Sequence, residues 1–490
     1  MFQEVKKVVC PDIPPFSSAE KVCALADNGY FEEEYYLYGT SNLYSRNPET
    51  NTAEKILEGA PYVNRFILRA PKDPAKASGN VVVELLNPSS GMEIERMWID
   101  AYKKFLRDGD IYVGLTVKPN TLKSLKVYSP KRYGCLQWPN PRPEVPFPFE
   151  KADMERYVFG MHMSHDFETG LCWDMITDLA HLLRGSSPEN PIAAYPGRRL
   201  VLTGWSQDVS YIRTYVNYFA NAMDENIFDG YLCAGGVPAL FMALNQYELL
   251  DTVDSKLGRV HSCRVPFMVV QTESDASAWD AIYGKKQDSD EPGFPYRLYE
   301  IAGGSHDTQF NLLTYYQDDA ELQRAAATIE MPPVYNGSHT LPNDYPYEFI
   351  WNACYRNLFY WIRTGVAPSP EERIRVDEAG RALRDGFGNS IGGIRTCFVD
   401  YPTAHYSSGD DIHKDGRPFI RNSQTAFSAF GYVEPFSAEL LQELYGSLEN
   451  YETLCREHTA RQVAKGFICR EDAQSLVALA VKTAQERGLH

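Results

Sequence analysis

Short apolar runs recur between residues 81 and 301 and alternate with segments of helical periodicity. Each run is four to seven residues long and nearly uninterrupted, as in strands that are buried on both faces of a sheet. The runs lie at 81–86, 111–117, 200–203, 230–234, 267–270 and 296–301. Between them, apolar residues repeat at helical spacing in 171–184 and 208–223. Because strands that alternate with helices need crossover connections, the pattern predicts an α/β fold with a mostly parallel central sheet of about eight strands, flanked by helices, over about residues 60–310.

Two stretches interrupt this alternation. Residues 118–160 are rich in Pro, Tyr and Lys, and residues 307–345 form a polar, Pro-containing segment after the last apolar run. Loops that leave the carboxyl ends of parallel strands line the ligand crevice of such sheets, so both stretches are predicted to be lid or cap insertions, with surface decoration as the alternative. We therefore expect a core at 1–345, with N-terminal strands and these insertions, and a mainly helical C-terminal extension at 346–490 packed on it.

Charge and composition exclude several kinds of partner. The 65 acidic residues outnumber the 48 basic ones, and no basic block offsets the net charge of −17, so we predict no nucleic-acid binding. No apolar run approaches the roughly 20 residues that cross a bilayer, and the N-terminus lacks the apolar stretch of a signal peptide. The ten cysteines have no metal-type spacing and are expected to be reduced and mostly buried. We expect a soluble cytoplasmic protein with no membrane partner, no metal and no cofactor; the sequence leaves a homodimer open.

The sharpest local pattern is the segment 199–208, RLVLTGWSQD, an apolar strand that runs through a G-x-S-x turn into a helix. In a nucleophile elbow, the serine lies on such a tight turn and its hydroxyl projects from the top of the sheet. Ser206 is the candidate nucleophile, and capping of the following helix is its alternative role. Gly204 is the small residue that an elbow needs two positions before the serine, whereas Asp208 occupies the second such position, where glycine is usual.

A serine nucleophile needs a histidine base, and the histidine needs a carboxylate to orient it. In hydrolases of this type the three groups follow in the order serine, acid, histidine, each just past a strand. Here the apolar run at 267–270 is followed by Glu273 and Asp275, and the next run by a Gly-Gly turn and His306. Asp275 stands where the usual strand–G-x-x-D pattern has its acid, with Thr272 in the glycine position. Glu273 is the alternative acid.

A tetrahedral intermediate also needs backbone donors for its oxyanion. The N–H of Gln207, directly after the serine, is the first candidate. The second donor is expected from the loop 87–91 after an earlier strand, where Ser89 and Ser90 are the candidates.

The residues beside the elbow and the aromatic content indicate how a substrate is held. Trp205, directly before the serine, and Asp208, two residues after it, are predicted to contact the substrate. Lys118, just past a strand, contacts a substrate anion or lies on the surface, and we favour the surface. The aromatic-rich segment 118–160 suggests a bulky or aromatic substrate.

With these groups in order, the chain resembles the α/β-hydrolases, and more narrowly the branch described as alpha/beta hydrolase domain-containing proteins. The resemblance extends from about residue 30 to the C-terminus. It rests on RFILRAPKDPAKASGNVVVELLNPSSG, IYVGLTVKPNTLKSLK with PKRYGCL, GLCWDMITDLAHLLR, LVLTGWSQ followed by YIRTYVN, VVQTESD, NACYRNLFYWIRTG and DGFGNSIGGIRTCFVDYPTAHY. It implies a Ser–acid–His esterase mechanism, carried by Ser206, His306 and either Asp275 or Glu273.

Members of this branch usually have a small residue and then a glycine after the S-Q pair, where this chain has Asp208 and Val209. The sequence predicts a serine carboxylic-ester hydrolase with a catalytic triad, an oxyanion hole and an acyl-enzyme intermediate, acting on a small-molecule ester. Two alternatives stay open. One is the same fold and triad performing amide or lactone hydrolysis, acyl transfer or a lyase-type step. The other is a non-catalytic ligand-binding protein whose altered elbow no longer works.

Overall fold

The computed structural model describes residues 2–89, 91–148, 164–236, 242–248, 259–276, 286–311, 342–378, 381–408 and 431–490. Internal contacts divide the chain into two compact units. The first unit contains the described residues up to Phe267 together with Pro292–Phe294, and the second contains the other described residues. The described part of the extension predicted from residue 346 lies in the second unit, and the boundary predicted before it stays a prediction.

The described part of the first unit contains seven strands. They are β1 (Phe2–Lys7), β2 (Tyr30–Asn47), β3 (Thr52–Pro71), β4 (Asn80–Leu86), β5 (Ile111–Thr116), β6 (Arg199–Trp205) and β7 (Gly230–Ala234). Their order in the sheet is β1-β2-β3-β5-β4-β6-β7. The pairs β1/β2, β2/β3 and β3/β5 are antiparallel, whereas β5/β4, β4/β6 and β6/β7 are parallel. Every residue of β4, β5 and β7 is buried, which explains why these apolar runs show no alternation.

Helices follow or connect these strands as the periodicity predicts. The described helices of the first unit are α1 (Glu20–Cys23), α2 (Arg96–Asp108), α3 (Leu122–Tyr128), α4 (Pro130–Tyr133), α5 (Cys172–Arg184) and α6 (Gln207–Tyr218). α5 coincides with the pattern at 171–184, while α6 ends five residues before the predicted 223, where a 3₁₀ turn at Ala220–Ala222 follows. The first part of the insertion at 118–160 forms α3 and α4, and its residues 149–160 lie outside the described residues.

A buried ion-pair network connects the N-terminal strands to the loop after β4. Arg65 of β3 pairs with Glu34 of β2 and with Glu93, and each of these side chains is at most 1% exposed. Thr116, at the end of β5, also donates to Glu93. Loss of one partner from a buried ion pair costs about 3–5 kcal/mol, because the other charge is left unpaired in a poorly polarisable interior. Since Glu93 lies two residues after the loop 87–91, this network holds the carboxyl end of β4 in place.

The second unit includes β8 (Phe267–Thr272), except its first residue, and its neighbour β9 (Tyr296–Ile301). β10 (Ala404–Ser407) and β11 (Tyr432–Pro435) form a separate antiparallel pair. Besides the helical residues 273–276 at the edge of a described stretch, the described helices of this unit of four residues or more are α7 (Glu348–Thr364), α8 (Cys397–Asp400), α9 (Ala438–Tyr445), α10 (Leu448–Lys465) and α11 (Ala473–Glu486). The C-terminal extension is therefore mainly helical, as predicted, and residues 312–341 of the second insertion lie outside the described residues.

These elements confirm the predicted α/β class, with parallel strands β5-β4-β6-β7 and intervening helices. About eight strands were expected over the core, and β1–β9 are described. Of the ten cysteines, all of them described, eight are buried and none is in a disulfide, as predicted. Where the chain is described, no helix has both the length and the apolar character that a membrane span requires.

Candidate active site

Ser206 is the single residue between the end of β6 and the start of α6. Its backbone angles are φ 56° and ψ −112°, a strained combination for a residue that has a Cβ. Its N–H donates to the carbonyl of Ala234 at 2.9 Å, which anchors the turn to the end of β7. The Ser206 side chain makes no capping hydrogen bond to α6, which argues against the helix-cap role. Ser206 is partly exposed, whereas Trp205 and Gln207 on either side are buried.

The elbow accommodates the unusual Asp208 and Val209 because glycines face them. A Cβ on Gly204 would lie 2.5 Å from the Cβ of Asp208, and a Cβ on Gly236 would lie 2.3 Å from that of Val209. Real Cβ atoms do not approach so closely, so both positions require glycine. Small residues on the helix would leave this space in other elbows, whereas here Gly204 and Gly236 provide it. No sequence pattern indicated the need for glycine at 236.

Asp208 is completely buried beneath the elbow. The Asn87 amide, which donates to the Trp205 carbonyl at 2.7 Å, lies close to this carboxyl. Burial, reinforced by the nearby Glu84 carboxyl, raises the pKa of Asp208 well above its usual range. Burial therefore favours the protonated, uncharged form of this side chain. Its predicted contact with substrate stays a prediction.

Lys118 corrects the expectation of a surface lysine, because its side chain is completely buried. Burial lowers the pKa of this amine to about 7, and attraction to Asp208 offsets part of that effect. A position directly after an apolar strand end is ambiguous in sequence. Only the packing of the neighbouring elements decides whether such a side chain turns inward.

Trp205 is 3% exposed, and the guanidinium of Arg96 lies 4.4 Å from the centre of its indole ring. This cation–π contact packs the end of β6 against the start of α2. The role of Trp205 in substrate binding stays a prediction.

The loop after β4 lies beside the elbow. Ser89 donates its N–H to the Oδ1 of Asn87 at 3.0 Å and its hydroxyl to the Oε1 of Gln207 at 3.4 Å. The Ser89 N–H predicted to hold the oxyanion is thus already engaged within its own loop. Ser90 lies outside the described residues, which leaves the N–H of Gln207, at the start of α6, as the donor candidate that the described structure favours.

In the second unit, Asp275 and His306 follow β8 and β9. The Oδ1 of Asp275 lies 2.8 Å from the Nδ1 of His306, whose side chain is 18% exposed. Thr272, the last residue of β8, donates its hydroxyl to Asp275 Oδ2 at 2.6 Å. Ser274 accepts the backbone N–H of His306 at 2.6 Å. In the sequence, Thr272 is visible only as a departure from glycine, and no sequence pattern predicts either hydroxyl contact.

Glu273, the alternative acid, has other partners. Its Oε2 accepts the backbone N–H of Gly303 at 2.7 Å, and its Oε1 pairs with Arg384. Glu273 is completely buried, so this pair holds the Gly-Gly turn that leads to His306. Of the two carboxylates, Asp275 is the one in contact with the imidazole. No sequence pattern pointed to Arg384, which comes from a segment more than a hundred residues downstream.

A serine at a strained strand-to-helix turn and a histidine–carboxylate pair after two later strands are the parts of an alpha/beta hydrolase. The chain belongs to the alpha/beta hydrolase domain family, whose model matches residues 11–478. This match confirms the resemblance and the fold class predicted from the sequence.

Among solved structures, esterases are similar to this chain at low identity. Esterase Est22 is 11% identical, with 64% of this chain and 83% of Est22 covered and a TM-score of 0.33. A fungal esterase from Rhizomucor miehei is 12% identical, with 64% and 90% covered and a TM-score of 0.32. No curated protein sequence matches the chain significantly. Similarity at this level carries no information about the reaction or the substrate.

Proposed function

We propose that the protein is a serine carboxylic-ester hydrolase with Ser206 as nucleophile, His306 as base and Asp275 as the orienting acid. The observation that carries this proposal is the backbone of Ser206. A non-glycine residue is held at φ 56° between a strand and a helix, and its side chain does not cap that helix. Strain of this kind costs about 1–3 kcal/mol and persists where the surrounding structure enforces it, typically at functional sites.

The Asp275–His306 contact supports the assignment of the base. A carboxylate only accepts hydrogen bonds, so the Nδ1 of His306 carries a proton in this contact, and in the neutral imidazole Nε2 then has a lone pair. That tautomer is the one that removes a proton from a serine hydroxyl. Asp275 also stabilises the imidazolium that forms.

The proposed reaction runs in two halves. Ser206 Oγ attacks the ester carbonyl while its proton passes to Nε2 of His306, and the oxyanion is held by the N–H of Gln207. The tetrahedral intermediate collapses, His306 returns the proton to the departing alcohol, and an acyl-enzyme is left on Ser206. Water then attacks the acyl group with the same assistance, and the acid is released.

The proposed substrate is a small-molecule ester with a bulky or aromatic group, on the basis of the aromatic-rich segment 118–160. The proposed location is the cytoplasm. If small acetate esters turned over much faster than aryl esters, the substrate proposal would be wrong, and the reaction class would not be affected.

The test is fluorophosphonate labelling of the purified protein, with the modified residue located by peptide mass spectrometry. We expect stoichiometric labelling at Ser206 in the wild type and none in Ser206→Ala or His306→Gln. Ser210→Ala is the matched control, because Ser210 lies one turn further along α6, is buried, and its hydroxyl has no hydrogen-bond partner among the described residues. Absence of labelling in folded wild-type protein would overturn the proposal, and labelling of His306→Gln at the wild-type rate would remove His306 from it.

A further inference from the structure

Four side-chain contacts link Thr272, Ser274, Asp275 and His306 into a closed ring. The backbone N–H of His306 is 2.6 Å from the Oγ of Ser274, and that oxygen is 3.1 Å from the Oγ1 of Thr272. Thr272 Oγ1 is 2.6 Å from Asp275 Oδ2, and Asp275 Oδ1 is 2.8 Å from His306 Nδ1. The ring therefore starts at the backbone of His306 and ends at its imidazole.

The number of hydrogens fixes the direction of each bond in this ring. Asp275 as a carboxylate can only accept, so the single hydroxyl hydrogen of Thr272 points to it. The Oγ1 of Thr272 must then accept a hydrogen bond from Ser274, which donates its only hydroxyl hydrogen in this contact. The Oγ of Ser274 in turn accepts the N–H of His306. Every donor in the ring has one acceptor. If Thr272 donated to Ser274 instead, its oxygen and the Oδ2 of Asp275 would face each other with no hydrogen between them.

The ring holds the base at two points. Thr272 and Asp275 are buried and Ser274 nearly so, so little water competes for these bonds, and bonds in such a chain polarise one another. With its backbone and its Nδ1 both anchored to the segment 272–275, His306 has little freedom to rotate its ring. The direction of the Nε2 lone pair follows from this anchoring.

On these grounds we infer that Thr272 and Ser274 are positioning residues that orient His306 through Asp275 and through the His306 backbone. This inference rests on the proposed function for its catalytic consequence, although the ring itself is independent of it. The usual strand–G-x-x-D pattern places glycine at 272 and supplies no hydroxyl there. The threonine at 272 therefore adds a hydrogen bond that fixes the position of the Asp275 carboxylate.

The test compares Thr272→Val, which keeps the shape and removes the hydroxyl, with Thr272→Ser, which keeps the hydroxyl. A displacement of a catalytic group by about 1 Å costs on the order of 100-fold in rate. We expect kcat for an aryl ester to fall about 10- to 100-fold in Thr272→Val and in Ser274→Ala with KM unchanged, and to stay within about threefold in Thr272→Ser. The matched control is Thr403→Val, a buried threonine of the same unit whose hydroxyl bonds to Arg487, which should lower thermal stability and leave kcat unaltered.

A second readout does not depend on turnover. The His306 Nδ1 proton, assigned by NMR with His306→Gln as reference, should exchange with water at least tenfold faster in Thr272→Val than in wild type or Thr272→Ser. If wild type hydrolyses no ester but the exchange rates differ in this way, the proposed function fails and the positioning ring stands. If folded Thr272→Val keeps the wild-type kcat and exchange rate, the inference about Thr272 and Ser274 is wrong.

Discussion

Lys118 and Asp208 are both completely buried beneath the nucleophile turn, where their charged forms would attract each other. The attraction is weaker than the effect of burial on each group. Burial lowers the pKa of Lys118 to about 7 and raises that of Asp208 well above its usual range, so burial favours the uncharged form of both. A pair of this kind does not behave as a stabilising salt bridge, and each partner has its own dependence of stability on pH.

The first prediction concerns Lys118. An unfolded lysine has a pKa of about 10.4, so between pH of about 7 and 10 the unfolded chain binds more protons at this site than the folded chain, and stability rises with pH. Lys118→Met removes this dependence. We expect the variant to be more stable than wild type at pH 7 by about 2 kcal/mol or more, with the difference narrowing toward pH of about 10. Urea unfolding of both proteins at several pH values measures this difference in unfolding free energy.

The matched variant is Lys118→Arg, which keeps the buried charge and cannot lose its proton in this range. It should be less stable than wild type throughout. A Lys118→Met protein that is less stable than wild type at pH 7 would show that the lysine makes a net favourable contribution.

The second prediction concerns Asp208. Its pKa is raised in the folded state, so above a pH of about 4 the folded chain retains a proton at Asp208 that the unfolded chain has lost. The unfolding free energy of the wild type therefore falls as pH rises above this value. Asp208→Asn has no proton to lose. The difference in unfolding free energy between Asn and Asp should therefore grow in favour of Asn with pH, by up to about 1.4 kcal/mol per unit. Parallel pH profiles of the two proteins would mean that Asp208 titrates normally.

The third prediction tests the packing of the elbow. Gly236→Ala places a Cβ 2.3 Å from that of Val209, and overpacking of this kind costs about 1–3 kcal/mol. Val209→Gly removes the atom it would meet, so Gly236→Ala should cost less in that background, with a coupling of at least about 1 kcal/mol. Gly386→Ala, which would meet nothing within 4 Å, is the control and should leave the melting temperature unchanged. Additive costs in the double variant would disprove the steric explanation.

The fourth prediction separates the two carboxylates that follow β8. Asp275→Asn turns the acceptor at Nδ1 into an amide that can hold the wrong tautomer, so kcat should fall by about 10³–10⁴ with little change in stability. Glu273→Gln leaves the Asp275–His306 contact but breaks the ion pair between the buried Glu273 and the partly exposed Arg384, so its main effect should be a lower melting temperature, with kcat reduced about tenfold or less. Steady-state kinetics and thermal unfolding of both variants distinguish the two roles. A larger loss of kcat in Glu273→Gln than in Asp275→Asn would make Glu273 the acid.

Local pattern was enough to predict several features. The fully apolar runs predicted buried parallel strands, because a strand that is buried on both faces is apolar along nearly its whole length. The strand–serine–helix turn at Ser206 was visible in the same way, as was the Gly-Gly turn before His306. The chain order of serine, acid and histidine followed from which residue comes after each strand.

Other features depend on contacts between residues that are distant in sequence. Which of Asp275 and Glu273 contacts His306 depends on the path of the chain after β9, and Glu273 pairs instead with the distant Arg384. The burial of Lys118 and the need for glycine at 236 depend on which elements pack against β5 and α6.

The sequence by itself therefore determined the α/β class, the order of the candidate catalytic groups and the acidic surface charge. Tertiary structure alone decided which carboxylate contacts His306 and which hydroxyls orient it. The physical reason is the distance along the chain over which each property is determined. The apolar character of a strand or a turn is set by residues that are neighbours in sequence. The direction of a hydrogen bond and the pKa of a buried group depend on atoms that only the folded chain brings within a few ångströms.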